Sequence, residues 1–82
     1  MNVTVLYFAA VRDLVGRDEE RVALPDGVAS IAGVGDHLAQ LHPTLEGRLS
    51  YVRFARNEEF AELADPIADG DVIALIPPVA GG

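Results

Sequence analysis

The amino-acid sequence predicts an α+β fold, a mixed sheet of about five strands with one principal helix on one face. Short runs rich in β-branched and aromatic residues recur along the chain between turn-forming residues. One stretch, Ser30 to Leu41, places apolar residues at helical spacing. It falls after a strand pair and before the remaining strands, as a right-handed crossover would.

The elements follow in order. Val3 to Phe8 reads as a strand with Val3, Val5 and Tyr7 on one face and Thr4, Leu6 and Phe8 on the other. Ala9 to Val15 fits a short helix ended by Gly16. Glu20 to Leu24 alternates as a second strand, closed by a Pro25-Asp26-Gly27 turn. Ser30 is the expected N-cap of the main helix, in which Ile31, Val34, Leu38 and Leu41 recur. Gly33 and Gly35 each cost that helix about 1 kcal/mol relative to alanine. Either it starts late, near Asp36, or the glycines permit close packing on the sheet. Pro43 ends it, with a further turn over Leu45 to Leu49. Tyr51 to Arg56 reads as the third strand, Asn57-Glu58-Glu59 as a turn, and Phe60 as the centre of a short fourth strand. Asp69-Gly70-Asp71 is a tight turn into the fifth strand, Val72 to Ile76, which Pro77 and Pro78 stop.

The chain has 82 residues, half of them apolar, and is read as a single domain over 1–82 with 77–82 an extended tail. A core of this size leaves little room for a complete active site, so docking to a larger partner is expected. Its 13 acidic and 6 basic residues give a net charge of −7, which excludes the basic stripe that nucleic acid requires. All the basic residues are arginine (Arg12, Arg17, Arg21, Arg48, Arg53, Arg56), so no side-chain amine is present to accept a second copy. There is no cysteine, which removes disulfides, thiolate metal sites and persulfides. No signal peptide is legible at Met1-Asn2, and no apolar run approaches the ~20 residues of a membrane span. A cytoplasmic location with no membrane partner is expected.

Candidate chemistry narrows by elimination. His37 and His42, five residues apart on the expected helix, diverge by about 140° and do not converge on a metal. Asp69 and Asp71 flank Gly70 but lack the other ligands of a calcium loop. Asp18-Glu19-Glu20 and Glu58-Glu59 read as solvated turn residues. Thr4, Ser30, Thr44 and Ser50 lack a nucleophile setting, and Gly33-Val34-Gly35 lacks the lysine of a phosphate loop. No intrinsic cofactor or metal is expected. The Gly81-Gly82 pair remains: without a Cβ it can thread a channel too narrow for other residues and present a carboxylate for activation.

Three segments carry a family resemblance: Val5-Leu6-Tyr7-Phe8-Ala9-Ala10-Val11-Arg12-Asp13-Leu14-Val15-Gly16, then Ala55-Arg56-Asn57-Glu58-Glu59-Phe60, then Asp69 through Ile76-Pro77-Pro78-Val79-Ala80-Gly81-Gly82. Together they resemble the small, sulfur-carrying subunit of molybdopterin synthase, the MoaD family, over the full length. The resemblance implies a ubiquitin-like β-grasp fold. It implies that Gly82 is adenylated by an activating enzyme that uses ATP, then converted by a sulfur donor system to a thiocarboxylate. Pro78, Val79, Ala80 and Gly81 would thread that end into the large subunit, where sulfur passes to cyclic pyranopterin monophosphate in molybdenum cofactor biosynthesis. Catalytic side chains would then belong to the large subunit, in a heterotetramer of two large and two small subunits. Phe8, Phe60 and Ile76 occupy the family's partner-contact positions, with Ile76 standing where an aromatic is often found.

The strand alternation is consistent with such a contact surface. One helix covers the face bearing Val3, Val5, Tyr7, Ile73 and Leu75, leaving Leu6, Phe8, Ala74 and Ile76 on the other, and an exposed apolar patch marks an interface. Three other readings share parts of this pattern: a thiamine-pathway sulfur carrier, a ubiquitin-like protein modifier, and a binding module with an inert tail. The first is generally shorter and lacks the Phe-Ala-x-x-Arg opening and the double proline. Conjugates in a lysate would mark the second.

Overall fold

The computed structural model describes residues 1–78, so Val79, Ala80, Gly81 and Gly82 of the expected tail lie outside the described residues. The elements are β1 (Asn2–Tyr7), α1 (Ala9–Val15), β2 (Glu19–Ala23), α2 (Ile31–Leu41), β3 (Arg53–Arg56), β4 (Glu59–Ala61) and β5 (Val72–Ile76), with 3-10 turns at Pro43–Leu45 and Leu49–Tyr51. The strands form one mixed sheet in the order β2-β1-β5-β3-β4. β1 and β5 run parallel at its centre, and the other pairs are antiparallel.

Alternation sorts the sheet residues as the sequence predicts. Val3, Val5, Tyr7, Phe54, Ile73 and Leu75 are buried with Ile31, Val34 and Leu38 of α2, Val11 of α1, and Leu45. The α2 segment forms a helix because its apolar side chains fall on one stripe and Ser30 caps it, its Oγ accepting from Gly33 N–H at 3.2 Å. The helix begins at Ile31, so the two glycines lie inside it and the close-packing alternative is the right one. A Cβ on Gly35 would meet the Phe54 ring at 3.3 Å, and one on Gly33 would meet Val28 Cγ1 at 3.1 Å. Gly35→Leu is therefore expected to lower stability by about 2 kcal/mol through overpacking against Phe54. Chemical denaturation with an unchanged midpoint would contradict this.

Several boundaries differ from expectation. Tyr51 belongs to the 3-10 turn and not to β3, because Val52 N–H donates back to Leu49 O and closes the turn. The turn expected over Leu45 to Leu49 is present, with Arg48 N–H donating to Leu45 O at 2.9 Å, and a 3-10 turn at Pro43–Leu45 precedes it. β2 runs one residue earlier than expected, from Glu19. Glu59 pairs with Arg56 in the β3–β4 ladder, so the turn is Asn57-Glu58 alone. Both turn residues have positive φ, 50° and 73°, as a two-residue hairpin that matches strand twist requires.

Candidate functional site

The sheet register builds a concave apolar surface on the face opposite α2. Leu6 pairs with Ala74, Ala74 with Ala55, and Ala55 with Phe60, so one row runs across β1, β5, β3 and β4. The two central members of that row are alanines and the outer two are large. Ile76 and Phe8 extend the wall toward the end of β5. The result is an open depression of about 450 Å³, bordered also by Asn57, Glu58 and Val72. Among the described residues, no helical one lines it.

Phe8, Phe60 and Ile76 all line this depression; strand alternation had placed Phe8 and Ile76 on this face, and Phe60 joins them through its pairing with Ala55. Phe8 is the N-cap residue of α1 and is 46% exposed, while Phe60 is 60% exposed. The Arg53 guanidinium stacks over Phe60, 3.8 Å from the ring centroid, and gives that rim a positive charge. Pro78 lies elsewhere, in a shallow depression of about 250 Å³ with Pro77, Arg48, Tyr51, Ala10 and Val11.

One wall of the apolar depression is held by a polar brace that local sequence patterns did not reveal. Asp71 is only 6% exposed. Its carboxylate accepts from Arg56 Nε at 2.6 Å, Asn57 Nδ2 at 3.0 Å and Ala68 N–H at 2.7 Å. Asn57 in turn accepts from Val72 N–H at 2.9 Å, locking the β3–β4 turn onto the start of β5. The Arg56 hydrogen bond, then those from Asn57 and Ala68, overcome burial and hold the Asp71 carboxyl down at about 2. Because the folded value lies below the ordinary 3.8, this stabilisation is complete above that value and lost as pH falls through about 2. Asp71→Asn is expected to cost about 2 kcal/mol near neutrality, the scale of a hydrogen bond to a charged group. The gap from the unaltered chain should close in acid. Equal acid sensitivity of both proteins in pH-dependent denaturation would contradict the brace.

A second polar cluster lies on the helix-covered face. Glu20 lies in β2 as expected, but it is not simply solvated: it accepts from Tyr7 Oη at 2.6 Å and Arg17 Nη1 at 2.9 Å. His42, expected within the helix, is instead the C-cap of α2 and places Nε2 against Glu20 Oε1. Burial alone would raise the Glu20 carboxyl, but the hydrogen bonds from Tyr7, His42 and Arg17 outweigh it and lower it. Burial, followed by the Glu20 contact, pushes the Tyr7 phenol up. The cluster ties the C-terminal end of α2 to β1 and β2. Among the described residues no cluster of histidine and carboxylate side chains is grouped to hold a metal ion, and no helix is long and apolar enough to cross a membrane.

Comparison with known proteins places this geometry. The ThiS family profile matches residues 5–82. A molybdopterin synthase sulfur carrier subunit of Chlamydomonas reinhardtii is 40% identical over 87 residues, covering all of both chains. The small archaeal modifier protein SAMP1 of Haloferax volcanii superposes with a TM-score of 0.88 at 33% identity, covering 100% of each chain. A complex of subunits 1 and 2 of the molybdopterin-converting factor from Helicobacter pylori contains a chain that matches with a TM-score of 0.69 at 27% identity, again covering 100% of each. The sheet and helices are those of a ubiquitin-like β-grasp, and the chain belongs to the ThiS family, in the MoaD group of molybdopterin synthase sulfur carrier subunits.

Proposed function

We propose that this chain is the sulfur-carrier subunit of a molybdopterin synthase and works in the cytoplasm. The observation that carries this reading is full-length likeness to such subunits in a chain with an uncovered apolar sheet face upstream of Gly81-Gly82. The depression receives apolar side chains of the large catalytic subunit and, at another stage, of the activating enzyme. Phe8, Phe60 and Ile76 form its contact walls. Continuity of Ile76 with Pro77 and Pro78 then sets the direction in which Val79 to Gly82 enter a partner's channel.

The chemistry resides at Gly82. A carboxylate is a poor electrophile, so the activating enzyme converts it with ATP to an acyl-adenylate, releasing pyrophosphate. Sulfur from a donor system displaces AMP and leaves a thiocarboxylate, whose sulfur is given to cyclic pyranopterin monophosphate in the large subunit. Repetition completes a dithiolene, within a heterotetramer of two large and two small subunits. The chain supplies the sulfur and its delivery arm, with ATP as a substrate of the activating enzyme and no cofactor of its own.

The likeness to SAMP1 favours a second reading, a ubiquitin-like modifier whose activated Gly82 is joined to amines of other proteins. Thiocarboxylated chain mixed with the large subunit and the pterin precursor separates the two. Formation of the dithiolene pterin supports the carrier reading. Absence of product together with conjugates in a cell lysate supports the modifier.

A further inference from the structure

The apolar depression carries a cation at its rim. β3 pairs Arg53 with Ile76 and Ala55 with Ala74, so alternation puts Arg53 on the depression's side of the sheet, beside the wall that Ile76 forms. Its guanidinium lies over the Phe60 ring, 3.8 Å from the centroid. Stacking uses the flat face of the group and leaves the N–H donors along its edge available. None of the ion pairs or side-chain hydrogen bonds among the described residues includes Arg53. Arg12, Arg17 and Arg56, by contrast, each reach a carboxylate of this chain.

A partner cannot bury Phe60 without also stripping water from the cation stacked on it. An arginine does not shed its charge on burial, so an uncompensated guanidinium in that contact would oppose association. We propose that Arg53 is a specificity-determining residue of this face, and that the large synthase subunit meets it with an aspartate or glutamate carboxylate at the edge of the segment that fills the depression. The inference rests on the reading that the depression docks that subunit.

Carboxylate is the chemistry that fits. Its two oxygens accept from the parallel N–H donors of a guanidinium, and the Phe60 ring beneath holds the plane of that fork before the partner arrives. The charge of the chain points the same way. At a net −7 it repels acidic groups in general, so an acidic residue of a partner is tolerated where it meets a cation. A competing protein that brought an apolar or basic side chain to this place would leave Arg53 unpaired and be rejected, which is how a buried charge confers selectivity.

Calorimetric titration of the large subunit with the native chain, Arg53→Lys, Arg53→Gln and Arg53→Glu tests this, with circular dichroism checking each fold. Arg53→Lys keeps the charge without the fork and is expected to bind several-fold more weakly than the native chain. Arg53→Gln is expected to bind roughly tenfold more weakly or worse, and Arg53→Glu more weakly still, because like charges then face each other. Arg21→Gln removes the same charge from β2, at the opposite edge of the sheet from β4, and is expected to leave affinity unchanged. Equal affinity of the native chain and Arg53→Gln would overturn the proposal. So would an equal loss in the Lys, Gln and Glu variants, the mark of an arginine that only shields Phe60, or an equal loss in Arg21→Gln, the mark of net charge alone. The docking reading fails separately: it falls, and the proposal with it, if the folded native chain does not bind the large subunit, whereas tight native binding with a flat Arg53 series defeats the proposal alone.

Discussion

Phe60→Asp is expected to weaken binding of the chain to the large synthase subunit by roughly 30-fold or more, the equivalent of about 2 kcal/mol. Phe60 forms the outer end of the Leu6–Ala74–Ala55–Phe60 row, and a carboxylate there would have to be desolvated against an apolar partner. The fold does not depend on the ring, because it is 60% exposed and packs mainly under Arg53. Phe8→Ala should act in the same direction by opening the wall at the start of α1. Calorimetric titration gives the affinity and circular dichroism reports on the fold. Unchanged affinity in a folded variant would remove this face from the interface.

Deleting Gly82 should have the larger effect, loss of adenylation and of sulfur transfer with folding and docking intact. The deletion moves the terminal carboxylate back by ~3.5 Å, far more than a reacting centre tolerates. Adding one residue instead buries that carboxyl in a peptide bond and places a side chain in the channel. Gly81→Ala should be milder but still harmful, since a new Cβ must enter a groove shaped for none. Both length variants should bind the large subunit normally, because the depression lies wholly upstream. Normal dithiolene yield from either would return the tail to an inert end.

The parts of this account that were legible in the sequence are those set by short-range patterns. Alternation in Val3 to Phe8 and Val72 to Ile76 assigned each residue to its face, and Leu6, Phe8, Ala74 and Ile76 do share the surface opposite α2. The volume of the depression was not legible, because it depends on Ala55 and Ala74 meeting across β3 and β5. Gly33 and Gly35 were ambiguous for a physical reason: low helix propensity is local, whereas the Phe54 ring that requires a small residue at Gly35 comes from a strand well downstream. Tyr51 misled through its β propensity, which the Leu49–Tyr51 turn overrides. Glu20 looked like a solvated charge and Asp71 like a plain turn residue because their partners, Tyr7, His42 and Arg56, are distant in the chain. The Gly82 chemistry was read from composition and resemblance, and residues 79–82 lie outside the described structure.

Intact mass spectrometry of the chain after incubation with ATP, a sulfur donor and the activating enzyme decides whether Gly82 carries sulfur. One species heavier by the difference between a sulfur and an oxygen atom is expected, with the change located at Gly82 by fragmentation and abolished by omitting ATP. An unchanged mass under conditions in which the same enzyme thiocarboxylates an established sulfur carrier would contradict it.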